Sequence, residues 1–314
     1  MKALVLTAPD RPAGIAEIPD PEPADDGIVV RVHAASVNGF DIFQAGGYLA
    51  SMMPHDFPTV VGRDFAGVVE SVGTGWSDVE IGDEVLGFVP SIPPLKVGAF
   101  GELVGGSGLV IAGKPSELSW GQAAAIPLAS ATALDSVDAV ELEPGDTVAI
   151  VGATGGVGSF AVQLATQRGA TVVATARPGH EDAFVRSLGA AETVDYAGVS
   201  TLDLLRERYP EGVAALIDLV DRGDDFTAVA ALVRDRGHVA STLGAADVDA
   251  LAARGVTGTN VRGMPTPENL AWLADEVAAG RLRVVIQQTF PFTDIGAALQ
   301  AFQAGTRGKL VVEI

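Results

Sequence analysis

The chain contains no cysteine among its 314 residues. It therefore forms no disulfide, no thiolate zinc site and no cysteine nucleophile. Histidine is scarce as well, and no two of the four histidines have the i, i+4 spacing of paired metal ligands on a helix: His33, His55, His180 and His238. A metal site would have to be assembled from distant histidines and carboxylates, and we predict none.

Basic residues are also few. The chain has 20 lysines and arginines against 40 aspartates and glutamates, a net charge of −20. Such a field repels nucleic acid and anionic membranes. No apolar run approaches the ~18–20 residues of a membrane span. The N-terminal MKALVLTAPD lacks the apolar region and cleavage site of a signal peptide. We therefore expect a cytoplasmic protein that binds a small molecule and neither nucleic acid nor a membrane.

The composition is that of a globular protein, with 48% hydrophobic and 19% charged residues, and the length suggests two domains. In the first 120 residues, short β-branched runs alternate with Gly, Pro and Asp turns, which predicts an irregular barrel containing strands over 27–37, 59–73 and 81–89. The Ala-rich segment that follows predicts helices, with Ser119 as an N-cap and an interruption at Pro127.

From residue 146 onward, strands alternate with helices. The pattern predicts strands over 147–153, 170–176, 192–196, 213–221 and 238–242. Helices are predicted between them, over 155–169, 180–190, 200–210 and 224–237. Such alternation indicates a parallel sheet with helices on both faces. The chain closes with a predicted helix over 266–280, a strand over 281–292, a helix over 294–305 and a strand over 308–314.

A glycine-rich turn, GATGGVG over 152–158, lies between the first of these strands and its helix. That position is the one a dinucleotide-binding fingerprint requires. Gly155 would let the backbone approach a pyrophosphate, and Gly158 would let the helix pack closely on the strand. The helix N-terminus adds N–H donors and a positive dipole end. A plain structural turn is the alternative, but the repeated βα units favour dinucleotide binding.

The next strand ends at Ala176 and is followed by Arg177. An NAD enzyme places an acid there for the ribose hydroxyls, whereas a guanidinium suits the 2′-phosphate of NADP. A solvated loop residue is the alternative interpretation of Arg177. We predict NADP(H) as cofactor. The predicted cofactor-binding residues of this part of the chain are Ala153, Thr154, Gly155, Gly156, Val157, Gly158, Ala176, Arg177, Tyr196, Val220, Leu243 and Gly244.

Several co-linear motifs resemble one known family: AASVNGFDIFQAGGY, PTVVGRDFAGVVESVGTGW, VEIGDEVLGF, GAFGELV, AAAIPLASATAL, the glycine loop and the closing GKLVVEI. In order and spacing they are similar to the medium-chain dehydrogenase/reductase superfamily, in its zinc-independent quinone oxidoreductase branch. The resemblance implies an α/β protein. A GroES-like β-barrel catalytic domain would comprise 1–121 and 263–314, and a Rossmann NADP-binding domain, with its doubly wound parallel sheet, 122–262. The active site would lie in the cleft between them.

The resemblance also implies site residues. Asn38, Asp41 and Tyr48 match polar positions at the nicotinamide end and are the predicted catalytic residues. Asn38 would donate a hydrogen bond to the substrate oxygen or fix the ribose. Tyr48 would donate a hydrogen bond or proton, or wall the pocket. The resemblance also implies that Thr132 binds the cofactor near the nicotinamide, with packing inside its helix as the alternative. A helix-capping role is equally open for Asp41, and a structural role is favoured for Asp64.

Zinc alcohol dehydrogenases of this superfamily hold their metal at positions that match Asn38, the Arg63–Asp64 pair and residues near Ser130. The resemblance therefore implies an enzyme without zinc. Ala45 stands where the family pattern usually has arginine, which implies a different pocket from that of a typical quinone reductase.

The function implied is a zinc-independent, NADPH-dependent oxidoreductase that transfers hydride to a quinone or another α,β-unsaturated carbonyl. Two alternatives stay open: an enoyl reductase of a biosynthetic, polyketide-type pathway, and a non-catalytic NADPH-binding protein. We also expect a homodimer, formed by pairing of the strand around 281–290, taken as the last strand of the Rossmann sheet.

Overall fold

A computed structural model describes residues 1–23, 25–75, 79–197 and 201–314. Two residues of the sequence interpretation lie outside the described residues: Trp76, which ends one quoted motif, and Ser200, which begins one predicted helix. The chain divides into two compact units. The first unit comprises Met1–Leu128 and Pro265–Ile314, and the second unit comprises Ala129–Met264.

Strands account for much of both units. They are β1 Lys2–Leu6, β2 Gly14–Glu17, β3 Gly27–Ser36, β4 Thr59–Val60, β5 Asp64–Val72, β6 Glu84–Phe88, β7 Leu103–Ser107, β8 Val110–Gly113, β9 Thr147–Val151, β10 Thr171–Thr175, β11 Glu192–Val194, β12 Val213–Asp218, β13 Val233–Ser241, β14 Thr257–Asn260, β15 Ile286–Pro291 and β16 Lys309–Glu313.

The helices are short to medium in length. They are α1 Gly39–Ala45, α2 Trp120–Ala124, α3 Pro127–Asp138, α4 Gly156–Gln167, α5 His180–Arg186, α6 Thr201–Arg208, α7 Gly223–Ala230, α8 Val248–Ala252, α9 Pro267–Ala278 and α10 Ile295–Gln303, with 3₁₀ turns at Tyr48–Ser51 and Phe292–Asp294. Ser119 caps α2 by accepting the Gln122 N–H, and α3 begins at Pro127. Both features were predicted.

The first unit contains two sheets. One has three strands in the order β2-β1-β4, and the larger has the order β15-β16-β3-β5-β6-β8, with β7 also paired to β3. The last strand, β16, pairs antiparallel with β3, Val312 lying opposite Ala35. Because of this pairing, the C-terminal strand completes the sheet of the N-terminal segment. Buried Phe65 and Phe100 lie in the core of this unit.

The second unit is a parallel sheet of six strands in the order β11-β10-β9-β12-β13-β14. The run of buried residues in β12 is typical of a sheet covered on both faces. This arrangement confirms the predicted α/β class with a Rossmann-type sheet. All of the strands point the same way, so their carboxyl ends share one edge.

Two predicted elements were wrong in detail. Gly62, with φ of +107°, breaks the strand predicted over 59–73 into β4 and β5. The helix predicted over 224–237 ends at Ala230, and β13 begins at Val233. The predicted end of that helix, residues 233–237, lies instead in β13, where Arg236 has a φ of +60°.

The strand predicted over 281–290 belongs to a different sheet from the one expected. It forms β15, which pairs parallel with β16 in the first unit. The edge of the second unit's sheet is instead β14, which the sequence did not predict. Short strands with small polar residues, such as Thr257–Asn260, give no hydrophobic period to detect.

Candidate functional site

The predicted cofactor residues of the second unit lie together at the carboxyl edge of its parallel sheet, apart from Thr132 on α3. Each follows the end of one strand: residues 153–158 follow β9, Ala176 and Arg177 follow β10, Tyr196 follows β11, Val220 follows β12, and Leu243 and Gly244 follow β13. This edge is where open parallel sheets bind their ligands. The strand order of the sheet explains this grouping, and cofactor binding by these residues stays a prediction.

The glycine loop is shaped by close backbone approaches. Gly152 has φ of +79°, and a Cβ there would lie 2.8 Å from Cγ1 of Val220. A Cβ on Gly158 would lie 2.3 Å from the carbonyl oxygen of Gly152, so α4 packs directly on the loop, as predicted. A Cβ on Gly155 would meet only that same oxygen, at 3.6 Å. Glycine at 158 is therefore demanded by the fold, whereas at 155 the fold leaves space.

A hydroxyl that the sequence interpretation missed holds this loop to the neighbouring strand. Oγ1 of buried Thr175 accepts a hydrogen bond of 3.0 Å from the Gly152 N–H. The detectable signal was a polar residue at the last position of β10, directly after the apolar residues Val172, Val173 and Ala174. The loop then leads into α4, which begins at Gly156 and whose first turn has N–H groups without intrahelical acceptors. Such N–H groups fit a pyrophosphate.

Arg177 has an acidic partner, although no acid follows the end of β10 directly in the sequence. Glu181, in α5, accepts from Arg177 Nε at 2.8 Å and from the Arg177 backbone N–H at 2.9 Å, and it also pairs with Nη2. The Tyr196 hydroxyl donates to the same carboxylate at 3.1 Å. The sequence interpretation looked for an acid at the strand end and missed this one. The i, i+4 spacing of Arg177 and Glu181 was the available signal.

Three predicted cofactor residues lie outside the glycine loop and the surroundings of Arg177: Thr132, Leu243 and Gly244. Thr132 is buried on α3, and a Cβ on Gly263 (φ +62°) would lie 2.0 Å from its Oγ1. The backbone N–H of Leu243 donates to Oγ of buried Ser241 at 3.3 Å. Gly244 is exposed, with φ of +70°. Their roles in cofactor binding stay predictions, and packing against Gly263 explains Thr132 in part.

In the first unit, Asn38 is bonded on both sides of its amide. Its Nδ2 donates to Oδ2 of Asp64 at 2.8 Å and to the Ser36 carbonyl at 3.4 Å. Its Oδ1 accepts from Nζ of Lys309 at 2.6 Å. The residue is only 7% exposed. The amide is therefore fixed in one orientation by an acid on one side and a cation on the other.

Asp64 is the centre of this buried cluster. Its Oδ2 also accepts from Ser36 Oγ at 3.0 Å and lies 3.6 Å from Lys309 Nζ. Its Oδ1 accepts from the N–H of Leu128, in the first turn of α3. Burial raises the pKa of Asp64 and lowers that of Lys309, and the attraction between the two opposes both shifts. These bonds support the structural role favoured for Asp64.

Lys309 was not predicted. The sequence signal for a buried ion pair was the position of Lys309 at the start of the apolar last strand. A lysine is rarely buried in such a strand unless it has a partner. Its ammonium also donates to the Val37 carbonyl at 3.1 Å. The carbonyl of Val37, the amide oxygen of Asn38 and the carboxylate of Asp64 therefore surround the Lys309 ammonium and offset the cost of burying its charge.

Asp41 caps α1 rather than facing solvent. Its Oδ2 accepts from the backbone N–H of Asn38 at 2.8 Å, and its side chain is fully buried. Burial raises the pKa of Asp41 to about 7, although nearby Arg63 favours the charged form. Arg63 is itself buried, with its guanidinium 4.2 Å above the Phe40 ring and Nη1 donating to the Val89 carbonyl. Asp41 thus acts as a positioning residue for Asn38.

Tyr48 is the exposed member of the predicted catalytic set. It lies in the 3₁₀ turn after α1, is 68% exposed, and presents its ring edge-on to Phe43 at 6.5 Å. Its ring also lies against Gly46, where a Cβ would approach to 2.6 Å. Of the three predicted catalytic side chains, that of Tyr48 is therefore exposed enough to contact a ligand. Asn38 is only 7% exposed, and Asp41 is fully buried.

The donor set of the first unit does not fit a zinc ion. By the family resemblance, Asn38 and Asp64 stand at two zinc-ligand positions. Oδ1 of Asn38 already accepts from the Lys309 ammonium, and Oδ2 of Asp64 lies 3.6 Å from that ammonium. The adjacent Arg63 brings a second positive charge. Within the described ranges, no group of three His, Cys, Asp or Glu residues is placed to hold a metal.

Among the residues that the structure describes, no helix is both long enough and apolar enough to cross a membrane.

Comparison with known proteins agrees with this architecture. Residues 24–96 match the family described as alcohol dehydrogenase GroES-like domain, and residues 188–312 match the family described as zinc-binding dehydrogenase. The chain is 31% identical to the mitochondrial NAD(P)H oxidoreductase RTN4IP1 of Mus musculus, over 91% of this chain and 81% of that protein. It is 30% identical to a chloroplastic NADPH-dependent alkenal/one oxidoreductase of Arabidopsis thaliana, over 93% of this chain and 73% of that protein.

The fold is also found among solved structures. The quinone oxidoreductase from Coxiella burnetii superposes with a TM-score of 0.90 at 29% identity, over 100% of this chain and 99% of that chain. Three findings point to the same group: two co-linear family matches, relatives that are 30–31% identical over most of their length, and one shared fold. The chain therefore belongs to the medium-chain dehydrogenase/reductase superfamily, in its quinone oxidoreductase-like branch.

Proposed function

We propose that this protein is a zinc-independent, NADPH-dependent oxidoreductase that reduces quinones or other α,β-unsaturated carbonyls. The observation that carries the proposal is the edge of the second unit's sheet. There, a glycine loop that leads into the N-terminus of α4 lies beside the strand that ends in Ala176 and Arg177. The first feature suits a pyrophosphate, and the second suits the additional phosphate of NADP.

The names of the relatives support the same chemistry. The Arabidopsis relative is named as an NADPH-dependent alkenal/one oxidoreductase, and the Coxiella structure as a quinone oxidoreductase. Both names describe acceptors in which a carbonyl is conjugated to a carbon–carbon double bond. We infer a substrate of this class for the present chain.

The chain's own residues would hold the cofactor as follows. The backbone N–H groups at the start of α4 would bind the pyrophosphate, with Thr175 holding the loop in place through Gly152. Arg177 would bind the 2′-phosphate, with the Tyr196 ring beside it. When bound, NADPH supplies a hydride, and reduction of the conjugated carbonyl also takes up one proton.

The residues of the first unit would act by hydrogen bonding and without a metal. Tyr48, whose side chain is exposed, would donate a hydrogen bond to a substrate oxygen on which negative charge develops. Asn38 is fixed by Asp64 and Lys309, and Asp41 fixes the backbone of Asn38. The oxygens that a metal would use already have other partners: Lys309 donates to Asn38, and Asp64 accepts from Asn38, Ser36 and Leu128. No metal-polarised oxygen therefore enters the proposal.

The test is a steady-state assay of the purified protein with NADPH or NADH against a panel of quinones and enones, following the absorbance of the reduced nicotinamide. The proposal predicts turnover with at least one acceptor and a preference for NADPH. Binding of NADPH without turnover of any acceptor would instead indicate a non-catalytic NADPH-binding protein. The cytoplasmic location and the homodimer stay predictions.

A further inference from the structure

Glu181 and Arg177 form an unequal pair at the carboxyl edge of the second unit's sheet. The side chain of Glu181 is only 9% exposed, whereas that of Arg177 is 59% exposed. Glu181 therefore lies beneath the guanidinium, on the protein side. The acid and the arginine belong to consecutive elements, because Arg177 follows β10 and Glu181 lies in α5.

The carboxylate of Glu181 is saturated with donors. Its Oε1 accepts from both Nε and Nη2 of Arg177, and its Oε2 accepts from the Arg177 backbone N–H and from the Tyr196 hydroxyl. An ionised carboxyl group has about four lone-pair positions, so these donors use its capacity. Burial alone would raise the pKa of Glu181, but the bonds from Arg177 and Tyr196 outweigh burial and lower it.

These contacts orient Arg177. The Nε side of the guanidinium is held by Glu181, and its central carbon lies 5.8 Å from the centre of the Tyr196 ring. The planar guanidinium offers five N–H groups in a fixed fork. With the Nε edge held by the protein, the donors of Nη1 remain for a ligand at the exposed end. A phosphate matches such a fork better than a ribose hydroxyl does.

We propose that Glu181 is a positioning residue that holds Arg177 ready for the 2′-phosphate of NADP, and so sets the preference for NADP over NAD. This role rests on the proposed use of NADPH. Glu181 differs from the acid of NAD enzymes, which accepts hydrogen bonds from the ribose itself. A carboxylate whose lone pairs are already used by Arg177 and Tyr196 has no acceptor left for a ribose hydroxyl.

The experiment measures binding of 2′,5′-ADP and of 5′-AMP to the full chain by calorimetry, because these two probes differ only in the 2′-phosphate. In Glu181→Gln, we expect 2′,5′-ADP to bind about tenfold more weakly and 5′-AMP to change by less than about twofold. Asp182→Asn is the matched control. Asp182 holds Arg186 in a similar i, i+4 pair on the same helix, with 2.9 Å between Nε and Oδ1, and its loss should alter neither affinity.

A second variant shows whether Glu181 acts through Arg177. In an Arg177→Ala background, Glu181→Gln should have almost no further effect on 2′,5′-ADP, since the residue that it positions is gone. Equal weakening of both probes by Glu181→Gln would contradict the proposal and indicate a direct contact with the ribose. Unchanged or tighter binding of 2′,5′-ADP would also overturn it.

Failure of the proposed NADPH dependence would look different. In that case the wild-type protein itself would bind 2′,5′-ADP no more tightly than 5′-AMP, and the positioning role would fall with it. If only the positioning role fails, the wild-type protein prefers 2′,5′-ADP and the Glu181→Gln variant keeps that preference.

Discussion

The Lys309 ammonium donates a hydrogen bond of 2.6 Å to Oδ1 of Asn38 and thereby ties the last strand, β16, to the residue that precedes α1. The two residues lie at opposite ends of the chain, and both are buried. Asp64 completes the cluster by pairing with Lys309 and accepting from Asn38. The cluster balances its charges without help from solvent.

Replacing Lys309 with methionine should destabilise the protein strongly. The variant Lys309→Met leaves the buried carboxylate of Asp64 without its cation, and breaking a buried pair on one side costs about 3–5 kcal/mol. Urea unfolding of the variant measures this free energy. Lys96→Met is the control, because Lys96 pairs with Asp56 at the surface and such pairs contribute about 1 kcal/mol or less. Equal losses in the two variants would contradict the role given to Lys309.

Asp41 should make stability depend on pH. Its pKa in the folded protein is about 7, above its ordinary 3.8, because burial disfavours the charged form. The folded state therefore keeps the proton that the unfolded state loses. Between about pH 4 and 7, this group should lower the free energy of unfolding by up to about 1.4 kcal/mol per pH unit as the pH rises.

The variant Asp41→Asn should remove that dependence. We expect the unfolding free energies of the two proteins, measured by urea at several pH values, to change differently with pH. As the pH rises from about 4 to 7, the variant should lose less stability than the wild-type protein. Parallel curves for the two proteins would show that Asp41 titrates as an ordinary carboxyl group.

Two glycines of the cofactor loop should respond differently to alanine. Gly158→Ala places a Cβ 2.3 Å from the Gly152 oxygen, a backbone clash that should cost about 2 kcal/mol or more of stability. Gly155→Ala meets only a 3.6 Å contact and has φ of −71°, so the fold should tolerate it. Because the new methyl group would face the pyrophosphate, NADPH binding should weaken about tenfold with little change in stability. Unchanged NADPH binding in Gly155→Ala would contradict the predicted path of the pyrophosphate.

Charge reversal at Arg177 should change the choice of cofactor. In Arg177→Glu, the fork that suits the 2′-phosphate is replaced by a like charge, so the affinity for NADPH should fall by about a hundredfold while NADH changes far less. Fluorescence titration with each cofactor measures both affinities. Equal losses for NADPH and NADH would mean that Arg177 does not bind the 2′-phosphate.

Elemental analysis checks the proposed independence from zinc. Purified protein should contain well below one zinc per chain, and incubation with a chelator should leave turnover unchanged. The reason is that Lys309 already donates to the oxygen of Asn38 and lies as a cation 3.6 Å from Asp64. One tightly held zinc per chain, with loss of turnover on its removal, would overturn this part of the proposal.

The glycine loop and the strand-end residues were predictable because their signals are local. A strand, a glycine-rich turn and a helix follow one another in sequence, and Arg177 directly follows its strand. The strand order of the parallel sheet then brings these loops to one edge. The repeated βα units along the chain then favoured dinucleotide binding over a plain structural turn.

The buried cluster was harder to predict because its partners are distant in sequence. Asn38 and Lys309 are separated by most of the chain, so no periodicity or spacing relates them. For the same reason, the sequence did not show that both sides of the Asn38 amide are already bonded. Glu181 was missed for a different reason, since the acid beside Arg177 came from the following helix and not from the strand end.

The central claim is hydride transfer from NADPH to a conjugated carbonyl, and isotopic labelling tests it most directly. The protein is incubated with an enone and NADPH deuterated at the transferable position of nicotinamide C4, and the product is examined by mass spectrometry and NMR. The proposed function predicts one deuterium bonded to the former β-carbon, in step with the loss of reduced nicotinamide. Product without deuterium, or no consumption of NADPH across the panel of enones and quinones, would contradict it.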